Sequence, residues 1–141
     1  MPAPVRFPFS TTVQRFLVPG ALAVAVAASS LPACAATAVH YSQAAFNRAL
    51  AASVPLVVHV CAGWSPLCRV QKPIVATLLR GPRMLPVLLL NVDFDTDRDA
   101  RRVLHAPYQG TLIVFKDGRE VARSSGDTDR TAIAALLNKA L

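Results

Sequence analysis

Apolar positions along this chain fall into two patterns, and their alternation predicts the layout of the fold. Residues 55–61 (PLVVHVC) and 85–92 (LPVLLLNV) are short, nearly continuous apolar runs rich in Val and Leu, as expected of strands buried on both faces. Residues 111–116 (TLIVFK) form a third run, and Asp117-Gly118 is a hairpin signal that returns the chain as a fourth strand over 119–123. Between the runs the period is helical. Ala45, Phe46, Ala49 and Leu50 share one face of a helix capped by Ser42 and reaching about Ala52. Residues 65–79 read as a helix stopped by Arg80-Gly81-Pro82, and Asp95-Thr96-Asp97 opens another that runs to about His105. A last helix over 128–140 follows Gly126-Asp127 and carries Ile133, Leu136 and Leu137 on its apolar face. Residues 37–41 can add a short edge strand. Buried strands alternating with helices, followed by a hairpin, imply an α/β fold. Its centre is a mixed β-sheet flanked by helices on both faces.

The first 35 residues belong to a different pattern. Arg6 and Arg15 precede an uncharged apolar stretch from Phe16 to Leu31, and Ala33-Cys34-Ala35 has the small-x-small form of a cleavage site. This reads as a signal peptide over 1–35, with one domain over 36–141. Two alternatives stand beside it: an uncleaved N-terminal anchor, and a lipoprotein box in Leu31-Pro32-Ala33-Cys34 with Cys34 as the lipidated residue. All three place the domain outside the cytoplasm, in a bacterium the periplasm. Contact with the membrane would come only through the N-terminus.

The formal charge of +7 does not change this picture. The basic residues, Arg69, Lys72, Arg80 and Arg83 in one region and Arg98, Arg101 and Arg102 in another, have no interleaved aromatics. A solvated basic surface explains them, and no nucleic-acid partner is expected. Asp93, Asp95, Asp97 and Asp99 alternate, but the glycine and terminal glutamate of a calcium loop are missing. Helix capping by Asp95 or Thr96 accounts for them. No cofactor is implied, and a monomer is expected.

Chemistry concentrates where the first buried strand meets its helix, in Cys61-Ala62-Gly63-Trp64-Ser65-Pro66-Leu67-Cys68-Arg69. Strand C-terminal ends and helix N-termini are where α/β folds place ligands, and the positive end of a helix favours a thiolate. Ser65 is a favoured N-cap and Pro66 a favoured first helical residue. Cys68, one turn in, reads either as a shielded thiol or as a single reactive thiol activated by the helix and Arg69. Cys61 and Cys68 can form a disulfide if their Cα atoms lie within about 7 Å. Cys61, Cys68 and His59 are suitable soft-metal ligand types, but their spacing fits no strong signature and no metal is assigned.

The segment Val57 to Arg69, with Pro73 beyond it, resembles the active site of the thioredoxin family, which has Trp-Cys-x-x-Cys-Lys/Arg here. Asn91-Val92-Asp93, Thr111 to Gly118 and Gly126 resemble further family segments in order and spacing. The resemblance covers residues 55–141 and implies a thioredoxin fold and thiol–disulfide exchange with an exported protein or thiol partner. Carried onto this chain, it makes Trp64, Ser65, Cys68 and His59 the candidate catalytic positions. It makes Pro66, Leu67, Gly110 and Thr111 the substrate groove. Four departures accompany it. Ser65 stands at the attacking cysteine, Gly110 at the cis-proline, Cys61 at a strand-end tryptophan, and His59 at the buried acid, where it would point toward Cys68 as a base. Exchange begins with thiolate attack on a disulfide, which serine cannot perform. The expected outcome is weak or absent dithiol turnover; the alternative is a redox-inactive binding or chaperone-like module.

Overall fold

The computed structural model describes residues 36–141; the signal, anchor and lipidation readings lie outside them. Strand β1 (Ala38–His40) is followed by helix α1 (Gln43–Ala51), β2 (Leu56–Cys61) and α2 (Pro66–Leu79). A 3-10 turn over Pro82–Met84 leads to β3 (Leu88–Asp93), α3 (Arg98–Val103), β4 (Thr111–Lys116), β5 (Arg119–Ser125) and α4 (Arg130–Leu137), with a last 3-10 turn over Asn138–Ala140. The five strands form one sheet in the order β1-β3-β2-β4-β5. β3 runs parallel to β1 and β2, whereas β4 runs antiparallel to β2 and β5. The sheet is therefore mixed, and β2 is its central strand with all six residues buried.

Strand residues alternate between faces, and the sheet uses both. Val58, Val60, Leu90, Val92 and Ile113 pack against Phe46 and Ala49 of α1 and Ala100 of α3. Val57, Leu89, Leu112 and Val114 pack against Val75 and Leu79 of α2 and Ile133, Leu136 and Leu137 of α4. This is the α/β arrangement with helices on both faces that the strand–helix alternation implied.

The local devices explain the boundaries. Ser42 Oγ accepts from Ala45 N at 3.1 Å and starts α1. Asp117 and Gly118 both have positive φ, 51° and 73°, which a two-residue turn matching the strand twist demands. Two boundaries differ from the sequence reading. β3 begins at Leu88 rather than residue 85, because Pro82–Met84 form a turn whose Met84 carbonyl is bonded by Val87 N. α3 begins at Arg98 rather than Asp95, because Asp93 Oδ1 accepts from both Asp95 N and Thr96 N at 2.9 Å. That side-chain turn takes up the residues assigned to the cap, and Asp97 becomes the N-cap residue instead. Among the described residues no helix is long and apolar enough to cross a membrane.

Candidate functional site

The end of β2 and the start of α2 are joined covalently. Cys61, the last residue of β2, and Cys68, in the first turn of α2, form a disulfide with Cα atoms 5.7 Å apart, inside the range a bridge requires. Both cysteines are enclosed, at 7% and 1% exposure. With the two sulfurs bonded to each other, neither is a thiolate ligand for a metal. Among the described residues no group of three His, Cys, Asp or Glu is placed to hold one.

Ser65 is completely buried. Its Oγ accepts from Cys68 N at 3.3 Å and its carbonyl accepts from Arg69 N at 3.2 Å. Pro66 follows at the first helical position, where its missing N–H removes no bond. Ser65 is thus the N-cap of α2. Trp64, by contrast, is 59% exposed. Its indole N–H donates to Asp95 Oδ2 at 3.0 Å, and its ring meets Phe94 edge-on. Asp95, which the sequence reading treated as a cap, instead positions the tryptophan.

His59 lies on the same face of β2 as Cys61, as strand alternation requires. Its Nε2 sits 3.1 Å from Cys61 Sγ and 3.1 Å from Gln71 Oε1. The partners of Gln71 settle the direction of this bond. Gln71 Nε2 donates to the carbonyls of Gly110 at 3.0 Å and Asp127 at 2.6 Å, so Oε1 is the acceptor end and His59 Nε2 carries the hydrogen. Burial pushes the His59 pKa down to about 4. The bond to Gln71 opposes that fall and the nearby Lys72 charge adds to it. His59 is therefore a neutral imidazole whose Nε2–H donates to Gln71 Oε1, with Cys61 Sγ equally close to that nitrogen.

Gln71 is the residue that the sequence reading missed. It is fully buried and ties α2 to the segments before β4 and α4. The signal was present: Cys68, Gln71, Val75 and Leu79 all lie on the buried stripe of α2. A polar residue on an apolar helical stripe requires internal partners.

Of the groove candidates, Leu67 and Gly110 come together. Gly110 has φ +73°, and a side chain added there would collide with the Leu67 isobutyl group. Gly110 N donates to Val60 O at 2.8 Å, and its carbonyl accepts from Gly126 N at 3.0 Å as well as from Gln71. Proline fits none of this, having neither the positive φ nor the N–H. Among the described residues there is no cis peptide bond. Pro66 is exposed beside Trp64. Thr111 is buried, its hydroxyl paired with Tyr108 O at 2.7 Å and Ser125 Oγ at 2.8 Å.

Comparison with known proteins bears on this arrangement. The sequence profile of the family described as Thioredoxin matches residues 37–139. A thioredoxin of Chlamydia trachomatis is 31% identical over 98 residues, covering 70% of this chain and 93% of the relative. A thioredoxin of Chlamydia pneumoniae is 34% identical over 89 residues, covering 62% and 84%. Among solved structures, Trxlp from Edwardsiella tarda EIB202 superposes with a TM-score of 0.70 at 35% identity, over 72% of this chain and 98% of the other. The Malassezia sympodialis thioredoxin, at 18% identity and a TM-score of 0.65, shares the fold.

Proposed function

Because the chain belongs to the thioredoxin family, we propose that it takes part in thiol–disulfide exchange through a displaced redox pair, Cys61 and Cys68. In this reading Ser65 occupies the attacking-cysteine position and acts as a helix cap. The observation that carries the reading is the Cys61–Cys68 bridge itself. It joins the helix-start cysteine to a strand-end cysteine instead of to residue 65. Serine at 65 supplies no thiolate, so a cycle through residues 65 and 68 is closed. The remaining dithiol is 61/68, and its sulfurs are too enclosed to meet a folded protein substrate directly. Turnover on protein disulfides is therefore weak or absent. The pair works by opening and closing its own bridge and by forming mixed disulfides with a thiol partner able to reach the enclosed sulfurs. The reading includes export through residues 1–35, since bridges persist in oxidising compartments such as the periplasm.

A second reading rests on the exposed Trp64: a redox-inactive binding module in which the bridge is only a staple. Closing so short a loop is worth about 2–3 kcal/mol, enough for a purely structural role. An insulin-reduction assay, run beside alkylation of Cys61 and Cys68 after treatment with a mild thiol, separates the two. The redox reading expects slow reduction that disappears in Cys68→Ala, and a bridge that opens in the folded protein. A bridge that resists reduction until the protein unfolds, with no insulin reduction, overturns it in favour of the binding module.

A further inference from the structure

We propose that the Cys61–Cys68 bridge exchanges with a low-molecular-weight, amino-acid-like thiol that reaches Cys61 through a cavity on the α2 face of the sheet. This route is separate from the outer surface at the exposed Trp64. The proposal rests on the redox reading of the bridge and names its substrate class.

The strand register builds the cavity. His40 of β1, Asn91 of β3 and His59 of β2 are in register, and Cys61 is in register with Asp93. These residues share the sheet face that α2 covers. Toward the other end of the same face, Val57 and Leu89 pack against α2 and close the core. At this end the side chains turn polar and leave a cavity of about 340 Å³ bordered by His40, His59, Cys61, Lys72, Asn91 and Asp93. That volume holds roughly ten waters. It suits a small thiol and not a protein loop. Cys61 borders the cavity, while Cys68 does not and is almost wholly covered. Around it stand the exposed Lys72, the half-buried Asp93 and the exposed His40, whose Nε2 lies 3.3 Å from Asp97. Backbone N–H groups of Thr96 and Asp95 hold the Asp93 carboxyl below its usual range and hence ionised. Lys72 and Asp93 thus present opposite charges to the carboxylate and ammonium of an amino-acid thiol.

The exchange balances in two steps. An incoming thiolate attacks Cys61 Sγ. A bond forms between the two sulfurs, the Cys61–Cys68 bond breaks, and its electron pair leaves on Cys68. The N-terminal end of α2 favours that thiolate. A second thiolate then attacks the outer sulfur of the mixed disulfide, forms the small disulfide and releases Cys61 as a thiolate. His59 Nε2–H, bonded to Gln71 Oε1 but 3.1 Å from Cys61 Sγ, is the donor within reach of that leaving group and stabilises it by sharing its hydrogen with the new thiolate. Both cysteines take protons from solvent. Two small thiols are oxidised to one disulfide, and the protein disulfide is reduced to a dithiol.

The test is the second-order rate of bridge reduction in the folded, full-length protein. It is followed by quenched alkylation and mass, with mercaptoacetate (anionic), cysteamine (cationic) and 2-mercaptoethanol (neutral). Lys72→Glu reverses a charge at the cavity mouth. It is expected to raise the cysteamine-to-mercaptoacetate rate ratio about five- to ten-fold, while the 2-mercaptoethanol rate stays within about two-fold. Lys72→Gln should move the ratio in the same direction by a smaller factor. Arg80→Glu, the same charge change at the C-cap of α2 and roughly 12 Å along the helix from Lys72, should leave the ratio unaltered because salt screens that separation. A ratio that ignores both Lys72 substitutions while the bridge still reduces readily overturns the cavity route and leaves the redox pair standing. A bridge that none of the three thiols reduces in the folded protein overturns the redox pair itself.

Discussion

The two faces of the sheet are built from alternate residues of the same strands, yet they are put to different uses. On the α1/α3 face, Val58, Val60, Leu90, Val92 and Ile113 are apolar throughout and nearly unexposed. On the α2/α4 face the same strands begin as Val57, Leu89, Leu112 and Val114 and then change to His59, Asn91 and Cys61. One face is a core only. The other is a core at one end and a polar, sulfur-bearing layer at the other. The polar layer is affordable because its groups answer one another: His59 to Gln71, and Gln71 to two carbonyls. A buried network of this kind is stable only when its members are satisfied.

The largest expected effect lies at the edge of the polar layer. Gly110→Pro would remove the N–H bonded to Val60, force the backbone out of φ +73°, which proline cannot adopt, and drive the ring into Leu67. A loss of more than about 3 kcal/mol in urea unfolding is expected. A well-folded, equally stable variant would show that the Gly110 geometry is not required. On the apolar face, Ile113→Ala should cost about 3–4 kcal/mol in the same measurement, since the residue is fully buried and its neighbours can collapse only in part.

Much of this contrast was legible in the sequence, and the reasons for the remainder are physical. The runs 55–61 and 111–116 located β2 and β4 almost to the residue, because a strand buried on both faces leaves an apolar run that no helix of that length shares. Ser42, Ser65 and Asp117-Gly118 were read correctly because each acts within three or four residues. Strand alternation also put Cys61 and His59 on one face. What the sequence hid depends on separation. Gln71 reaches residues 39 and 56 positions away, and Trp64 reaches Asp95 across 31. No local pattern encodes those partners. Whether Cys61 and Cys68 bond was open for the same reason: it depends on how closely α2 docks on the end of β2.

A pH profile tests the polar layer directly. Folding keeps His59 neutral down to about pH 4, whereas the unfolded chain takes up a proton near 6.5. Between those values the unfolded state binds more protons, so stability falls as the pH is lowered through that window and is fully present above it. The loss from this residue approaches about 3 kcal/mol below pH 4. His59→Gln should flatten the slope of unfolding free energy between pH 4 and 6.5. An unchanged slope would place the acid sensitivity elsewhere and remove the His59 network as its cause.

The smallest effect sharpens the distinction between the serine at the helix start and the cysteines that flank it. If Ser65 serves as a cap, its contribution resides in one bond, Oγ to Cys68 N, and in the backbone conformation that begins α2. Ser65→Ala removes the acceptor and should cost about 1 kcal/mol, whereas Ser65→Gly should cost only a few tenths, because glycine is itself an acceptable cap. That order, alanine worse than glycine, separates a cap from simple packing. A buried serine that mattered only for filling space would lose more on going to glycine, the smaller residue. Measured by urea unfolding with the bridge intact, the reverse order would assign Ser65 to packing and detach it from the start of α2.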